Sequence, residues 1–535
     1  MLFLFLFILS SCLISQNFNY HDDDWFTLSN PGIITSLTST NDKIIFTSEN
    51  GVYSFDKYTS ELMFLDEFTR NFSTELYQLI HYDRYRDFLW ILTDENISYK
   101  PYMSSFWREI DFYEINLNSH YNILNIGSNH EYLFLNIGSE ILILNPHTGA
   151  LINIDNYNFS NVNWTNSNRY VVDKNIDLTN FHSLEGYNII SNDQIEFNGM
   201  NIRITSFIVD GNQIWLGTDS GQLFVCDSNL NIFEKIKSIP QFTNINLTYL
   251  DNYEEWWLTN NDMIFVSNSI FIGNNQIFLT RWIQNENNWN HYYQNKYSHI
   301  KSKDITSIFR YNNLVYLGTR YGLLIFEILK NSWTLLNEKK GMKNQYITDL
   351  DFYNNRLFIS TNSGIELLNI NDNVLLENVE LNVFENKLVY DIDIIDNNLF
   401  LIADNNFYKY DLSHNKVDNY FNGRYYMMEV DSMKNIILAS NRKIERLIND
   451  EIELIGYFDS IGEISVCNDN YLWINSNNKI IFVDLLLNEK FEYNSNDGIP
   501  GDEINDIGCD DFWVWFSTNK GLSFYNWRKY HNEKK

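Results

Sequence analysis

The chain has 535 residues, a hydrophobic content of 44%, and 38 Lys and Arg against 69 Asp and Glu, for a formal charge of -31. That apolar content excludes a disordered chain. The charge balance excludes nucleic acid and an anionic membrane surface as partners, because both bind clustered basic side chains. Only 5 prolines occur, aromatics reach 16%, Ala is scarce, and Asn and Ile are abundant. Good helix formers are therefore few, while strand and turn formers are many, which predicts an all-β fold.

Residues 1–15 read MLFLFLFILSSCLIS. The run from Leu2 to Leu9 has the length of a signal-peptide core and is too short to span a bilayer. Export is the expectation, although a basic leader is missing. Leu9-Ser10-Ser11-Cys12 resembles a bacterial lipobox, which would make Cys12 the lipidated first residue of a lipoprotein. Cleavage near Ser15 would instead give a soluble secreted chain. The run His21-Asp22-Asp23-Asp24 is read as a solvated charge run rather than a metal site.

From Ile34 onward a short grammar repeats. It is plainest in ITSFIVDGNQIWLGTDSGQLFVCD (204–227), ITSIFRYNNLVYLGTRYGLLIFE (305–327), ITDLDFYNNRLFISTNSGIELLN (347–369) and INDIGCDDFWVWFSTNKGLSFYN (504–526). Each copy reads as a β-branched strand, a polar turn, a dense aromatic strand, a Thr-x-x-Gly hairpin and a third alternating strand. A Trp-led segment such as Trp333-Thr334-Leu335-Leu336 supplies a fourth strand. The hairpin needs positive φ near its end, which glycine adopts without steric cost. ITSLTSTNDKIIFTSENGVYSFD (34–56) and degenerate copies around Trp90, Leu133, Trp257, Leu399, Ile437 and Trp473 complete the series. The spacing, about 37 to 46 residues, suits four-stranded propeller blades. The prediction is a β-propeller of 11–12 blades. That exceeds one ordinary ring, so two propellers are expected, at 20–300 and 301–535. A nested arrangement, with one ring closed by both chain ends, is the rival. Residues 150–200 hold either a disguised blade or an insertion.

The segment from Arg281 to Tyr293 carries Trp282, Trp289, Tyr292 and Tyr293. If exposed, these four would form a partner contact. If buried, they belong to the outer part of a blade. First-strand acids Asp349, Asp351, Asp391, Asp393 and Asp506 are placed on or near the channel wall, where carboxylates hold either water or a cation. The recurring aromatics Trp90, Trp215, Trp257, Tyr316, Phe358, Phe400, Trp473 and Trp515 are read as packing between blades. Cys226, Cys467 and Cys509 show no zinc spacing. Cys467 and Cys509 hold matching places in consecutive units, and either a disulfide or separate buried thiols is compatible with that. No catalytic, metal-ligating or cofactor-binding residue is assigned, since no HExxH, GxSxG or P-loop pattern is present.

This grammar resembles the two-component-regulator propeller repeat, found in periplasmic sensor regions and in exported stand-alone propellers. The N-terminal stretch, on Trp25, residues 34–56 and the Trp90 unit, is also similar to the propeller part of a type IX secretion surface component. The resemblance implies fold more than function. After Asn526 only Trp527-Arg528-Lys529-Tyr530 and a charged tail follow, so phosphotransfer by this chain is not expected. The expected role is a non-enzymatic scaffold outside the cytoplasm, in the periplasm, on the outer membrane or secreted. It would bind an envelope protein or an extracellular ligand and touch membrane only through a lipid anchor. The alternatives are a glycan sensor working with a separate histidine kinase, and a propeller-based polysaccharide lyase or glycosidase.

Overall fold

The computed structural model describes residues 25–531, apart from 66–76, 116–122, 166–176, 241–243, 261–276 and positions 94–95, 103, 105, 155–156, 198–199, 238, 287, 295, 378–379, 415, 432, 450, 469, 495–496 and 502. The leader, Cys12 and the run at 21–24 lie outside the described residues. Among the described residues, eleven antiparallel sheets succeed one another, nine of them four-stranded. We number them by chain order: sheets 1 to 4 at 34–64, 79–111, 125–164 and 188–235; sheets 5 to 8 at 245–293, 305–336, 347–376 and 389–421; sheets 9 to 11 at 427–457, 464–493 and 504–525. The expected all-β architecture of repeated four-stranded sheets is present.

Sheet 6 shows why the repeat folds this way. Its strands are Ile305–Tyr311, Leu314–Thr319, Gly322–Glu327 and Ser332–Leu336. Val315, Tyr316 and Leu317 are all buried, because a sheet covered on both faces buries every side chain of its central strands. At the hairpin, Thr319 Oγ1 donates to the Gly322 carbonyl at 2.6 Å, and Thr361 and Thr518 do the same to Gly364 and Gly521 at 2.9 Å. Gly322 has φ +122°, and a Cβ there would meet the Leu336 carbonyl at 2.3 Å.

The first strand of each clear copy is bulged at its second residue. Register shifts occur between Ile305 and Ser307, Ile347 and Asp349, Val389 and Asp391, and Ile504 and Asp506. A bulge leaves one residue unpaired within its own sheet. In four copies that residue donates to the carbonyl opening the next sheet's first strand: Thr205 to Ile34 at 2.6 Å, Thr306 to Ile347 at 3.1 Å, Thr348 to Val389 at 2.7 Å and Asn505 to Ile245 at 2.7 Å. The Ile-Thr pair of the grammar is thus a stitch between sheets.

The first strands of sheets 5 to 11 pack side by side in order, and that of sheet 11 packs back on that of sheet 5. At this junction Asp506 accepts from the Thr248 amide and hydroxyl at 2.7 and 2.8 Å, and the Trp256 and Trp515 rings meet edge-on at 4.7 Å. Sheet 11 takes its outer strand from the other end of the chain, where Trp25–Leu28 pairs with Gly521–Tyr525. Trp25 stacks on Tyr525 at 4.4 Å and Phe26 on Phe524 at 4.6 Å.

Sheets 4, 1, 2 and 3 pack in that order. Within residues 150–200, the described strands extend neighbouring sheets and build none of their own. Asn163–Trp164 pairs with the first strand of sheet 3. The hairpin Asn188–Ser191 and Gln194–Phe197 joins sheet 4, and its Ile189 and Ile195 share a core with Leu178, Phe181, Ile202 and Phe224. After the last strand, the short helix α1, Trp527–His531, buries Trp527, and His531 stacks on Phe482 at 4.1 Å.

Candidate functional site

In sheets 1 to 4 buried His81 bonds Thr165 Oγ1 at 2.7 Å through Nδ1 and Ser128 Oγ at 2.8 Å through Nε2. Burial drives the His81 pKa down to about 4, so the ring is neutral. Among sheets 7 to 10 a cavity of about 280 Å³ is lined by Asp349, Asp391, Asp393, Glu429, Glu463 and their neighbours Ile392, Met427, Met428 and Ile464. No lysine or arginine lines it.

The backbone explains several of these acids. Past the bulge, each carboxylate meets a first-strand amide of the next sheet. Asp349 Oδ2 accepts from Ile392 N at 3.3 Å, and Asp391 Oδ2 from Met428 N at 2.7 Å. Asp351 bonds its neighbour, the Phe352 amide, at 2.6 Å, while its Oδ2 is buried without a partner. Glu429 and Glu463 are different. Both line the cavity, and no hydrogen bond from a described residue reaches either carboxylate. Both side chains are half-buried.

Proximity sets the electrostatics. Burial, then the like charge of Asp393, pushes Glu429 up to about 8. Burial, then Asp506 and Glu429, does the same to Glu463. Asp351 rises to about 8 from burial and Asp393; Asp349 and Asp393 rise to about 6, chiefly from burial. Asp391 and Asp506 are raised as well, burial again first. The like charge of Asp349 adds to the rise of Asp391. Near neutral pH the cavity therefore holds carboxylic acids beside carboxylates. Among the described residues no three acidic, His or Cys side chains converge as a metal site.

The other sequence-predicted residues lie elsewhere. Trp282 and Trp289 are buried in the third and fourth strands of sheet 5, stacked at 4.8 Å with their planes 3° apart. Tyr292 and Tyr293 are half-buried on the same fourth strand. The segment is thus the outer part of a blade, not a projecting loop. Cys467 and Cys509 form a disulfide with their Cα atoms 5.8 Å apart, joining the first strands of sheets 10 and 11. Most of the aromatic series is buried between sheets, including Trp90, Trp257, Trp473 and Tyr316. Glu429 and Glu463 escaped the sequence reading because the first strands of their units, Met427–Val430 and Ile464–Cys467, are short and carry no bulge. The usable signal was the register: Glu463 precedes Ile464 as Asp391 precedes Ile392.

No protein-family model and no curated protein matches the chain. Several solved structures are similar to it. The extracellular domain of the putative one component system BT4673 of B. thetaiotaomicron is 14% identical, with 96% of this chain and 76% of that one covered and a TM-score of 0.39. PorZ, a surface component of the type-IX secretion system of Porphyromonas gingivalis, is 10% identical, with 94% and 87% covered and a TM-score of 0.46. The β-propeller domain of Cps50 (Swd1) from Myceliophteria thermophila is 8% identical, with 53% and 97% covered and a TM-score of 0.40.

Proposed function

We propose that the chain is an extracytoplasmic β-propeller scaffold that binds its ligand at the acidic centre of sheets 5 to 11. In this reading those seven sheets are one closed propeller, and sheets 1 to 4 are a second unit inserted after Trp25–Leu28, the nested arrangement. The observation that carries the reading is the cavity of about 280 Å³ lined by five acids at or beside the first strands of four successive sheets, 7 to 10, with no lysine or arginine among its lining residues. A cleft of one sign concentrates counter-charged ligands. The size suits a small ligand, which favours the sensor form of the scaffold, acting with a separate kinase, over broad protein docking. The Cys467–Cys509 disulfide supports an oxidising compartment. Among the described residues no helix is long and apolar enough to cross a membrane. Fractionation of cells expressing the chain and its Cys12→Ala variant tests the location. Recovery of both in the cytoplasm with free Cys467 and Cys509 thiols refutes it; release of only the variant from the membrane fraction establishes the lipid anchor.

A further inference from the structure

We propose that one end of sheet 6, where its second and third strands are joined, is a docking surface for an acidic polypeptide segment, a stretch of a partner protein carrying several Asp or Glu side chains. This surface is separate from the acidic cavity and stands or falls independently of the ligand proposed there.

The first observation is a local reversal of charge. Residues 296–343 carry nine Lys and Arg against three Asp and Glu, in a chain whose formal charge is -31. Two of the nine are taken up by carboxylates: Arg310 pairs with Asp251 and Glu255, and Lys330 with Glu327 at 2.8 Å.

Topology gathers most of the others. In an antiparallel sheet the approach to the first strand, the hairpin between the second and third, and the exit from the fourth all fall at one end. Lys301 and Lys303 precede Ile305–Tyr311, Arg320 lies between Leu314–Thr319 and Gly322–Glu327, and Lys339, Lys340 and Lys343 follow Ser332–Leu336. All six are exposed. The Arg320 amide donates to the Asp304 carbonyl at 3.2 Å, and the Arg320 guanidinium lies over the Tyr346 ring at 5.8 Å, so the three segments meet. Buried Ile300 and Met342 anchor the two outer segments in the core.

The third observation is that the molecule leaves this charge unneutralised. Lys301, Lys303, Arg320, Lys339 and Lys340 pair with no carboxylate among the described residues, and Lys343 reaches Glu385 only at 3.9 Å. Nearby acids are engaged by backbone: Asp304 is buried and accepts from the Lys301 amide at 2.8 Å, and Glu366 accepts from the Asn344 amide at 2.8 Å. Glu338, on the turn with Lys339 and Lys340, offsets one charge of the six.

The partner's chemistry follows from sign, extent and residue type. A patch of cations on an acidic molecule attracts carboxylates and orients their approach. It is confined to the end of one sheet, so a long uniform polyanion would run off it onto acidic surface, whereas a short acidic segment would not. Five of the six cations are lysines, mobile point charges suited to carboxylates on a flexible chain. Planar phosphate recognition favours the arginine fork instead.

The test follows the fluorescence anisotropy of a labelled peptide of alternating Glu and Ser, about ten residues and roughly 33 Å when extended. The full chain is titrated into it at about 0.05 M and about 0.3 M salt. Saturable binding is expected at the lower salt, weakened at least about tenfold at the higher, because exposed charges are screened. In Lys339→Glu/Lys340→Glu two attractions become repulsions, and affinity falls about tenfold or more. Lys330→Glu/Lys434→Glu makes the same charge change in turns at the opposite ends of their strands and leaves affinity within about twofold. All four side chains are exposed, so both variants keep the fold. Absence of binding at low salt, equal affinity in the parent and Lys339→Glu/Lys340→Glu, or an equal loss in the two variants overturns the proposal. Tighter binding of oligogalacturonate or inorganic polyphosphate than of the peptide, through the same lysines, overturns the polypeptide assignment.

Discussion

Replacing Glu429 and Glu463 by Gln should stabilise the chain at alkaline pH and flatten its pH profile. Their pKa values stand near 8 in the folded chain, against an ordinary 4.5. The folded state therefore holds protons that the unfolded state has released. The stability tied to them is fully present below the ordinary value, declines as pH rises towards 8, and is gone above it. The gap between the ordinary 4.5 and about 8, at about 1.36 kcal/mol for each tenfold change in proton affinity, sets a ceiling of about 5 kcal/mol per glutamate. Water reaching the cavity and the mutual coupling of these acids reduce this to about 1–2 kcal/mol each. Buried His81 acts in the opposite direction: held to about 4, it costs stability only below its ordinary 6.5. Between about pH 6.5 and 8 His81 no longer contributes, while Lys235, held near 7 by burial, raises stability with pH in parent and variant alike, so the difference between the two chains isolates the glutamates. Calorimetric melts across it should show the parent losing stability steadily. The double variant should lose less and melt about 2–5 °C higher at the alkaline end. An equal slope, or a variant no more stable than the parent at high pH, would refute the account of the cavity as a store of unrelieved negative charge.

Two further outcomes follow from the fold. Thr348→Val keeps the shape of the bulged residue and removes its bond to Val389, so the urea midpoint should fall by an amount corresponding to about 0.5–1.5 kcal/mol. Trp25→Ala strips the ring that stacks on Tyr525 and should cost about 3–5 kcal/mol, read as earlier loss of near-ultraviolet dichroism.

Much of this was legible in the chain because the repeat writes the same physics many times. Thr319 and Gly322 sit at fixed distance because a hydroxyl must reach a carbonyl across a hairpin, and Thr361 with Gly364 repeats it. Several acids were legible too: Asp349 follows its bulge in a plain copy, and Asp391 follows one in a copy that is degenerate but keeps the bulge. What stayed hidden depends on distant partners. Trp25–Leu28 has only four residues and no periodicity of its own, yet it completes sheet 11. Nothing local in Asn188–Phe197 says that it extends sheet 4 rather than starting a blade. Glu429 and Glu463 stand in degenerate units, and their depth comes from neighbouring sheets.

The pairing of Thr27 with Ser523 spans 496 positions. At about 5–20 residues per second, a ribosome needs from roughly 25 s to 100 s to make that stretch. For all of that time the strand Trp25–Leu28 has no mate, and it waits until Gly521–Tyr525 is delivered. A prematurely terminated product would consequently display an orphan edge at both ends, a ready mark for proteases that clear unfinished molecules.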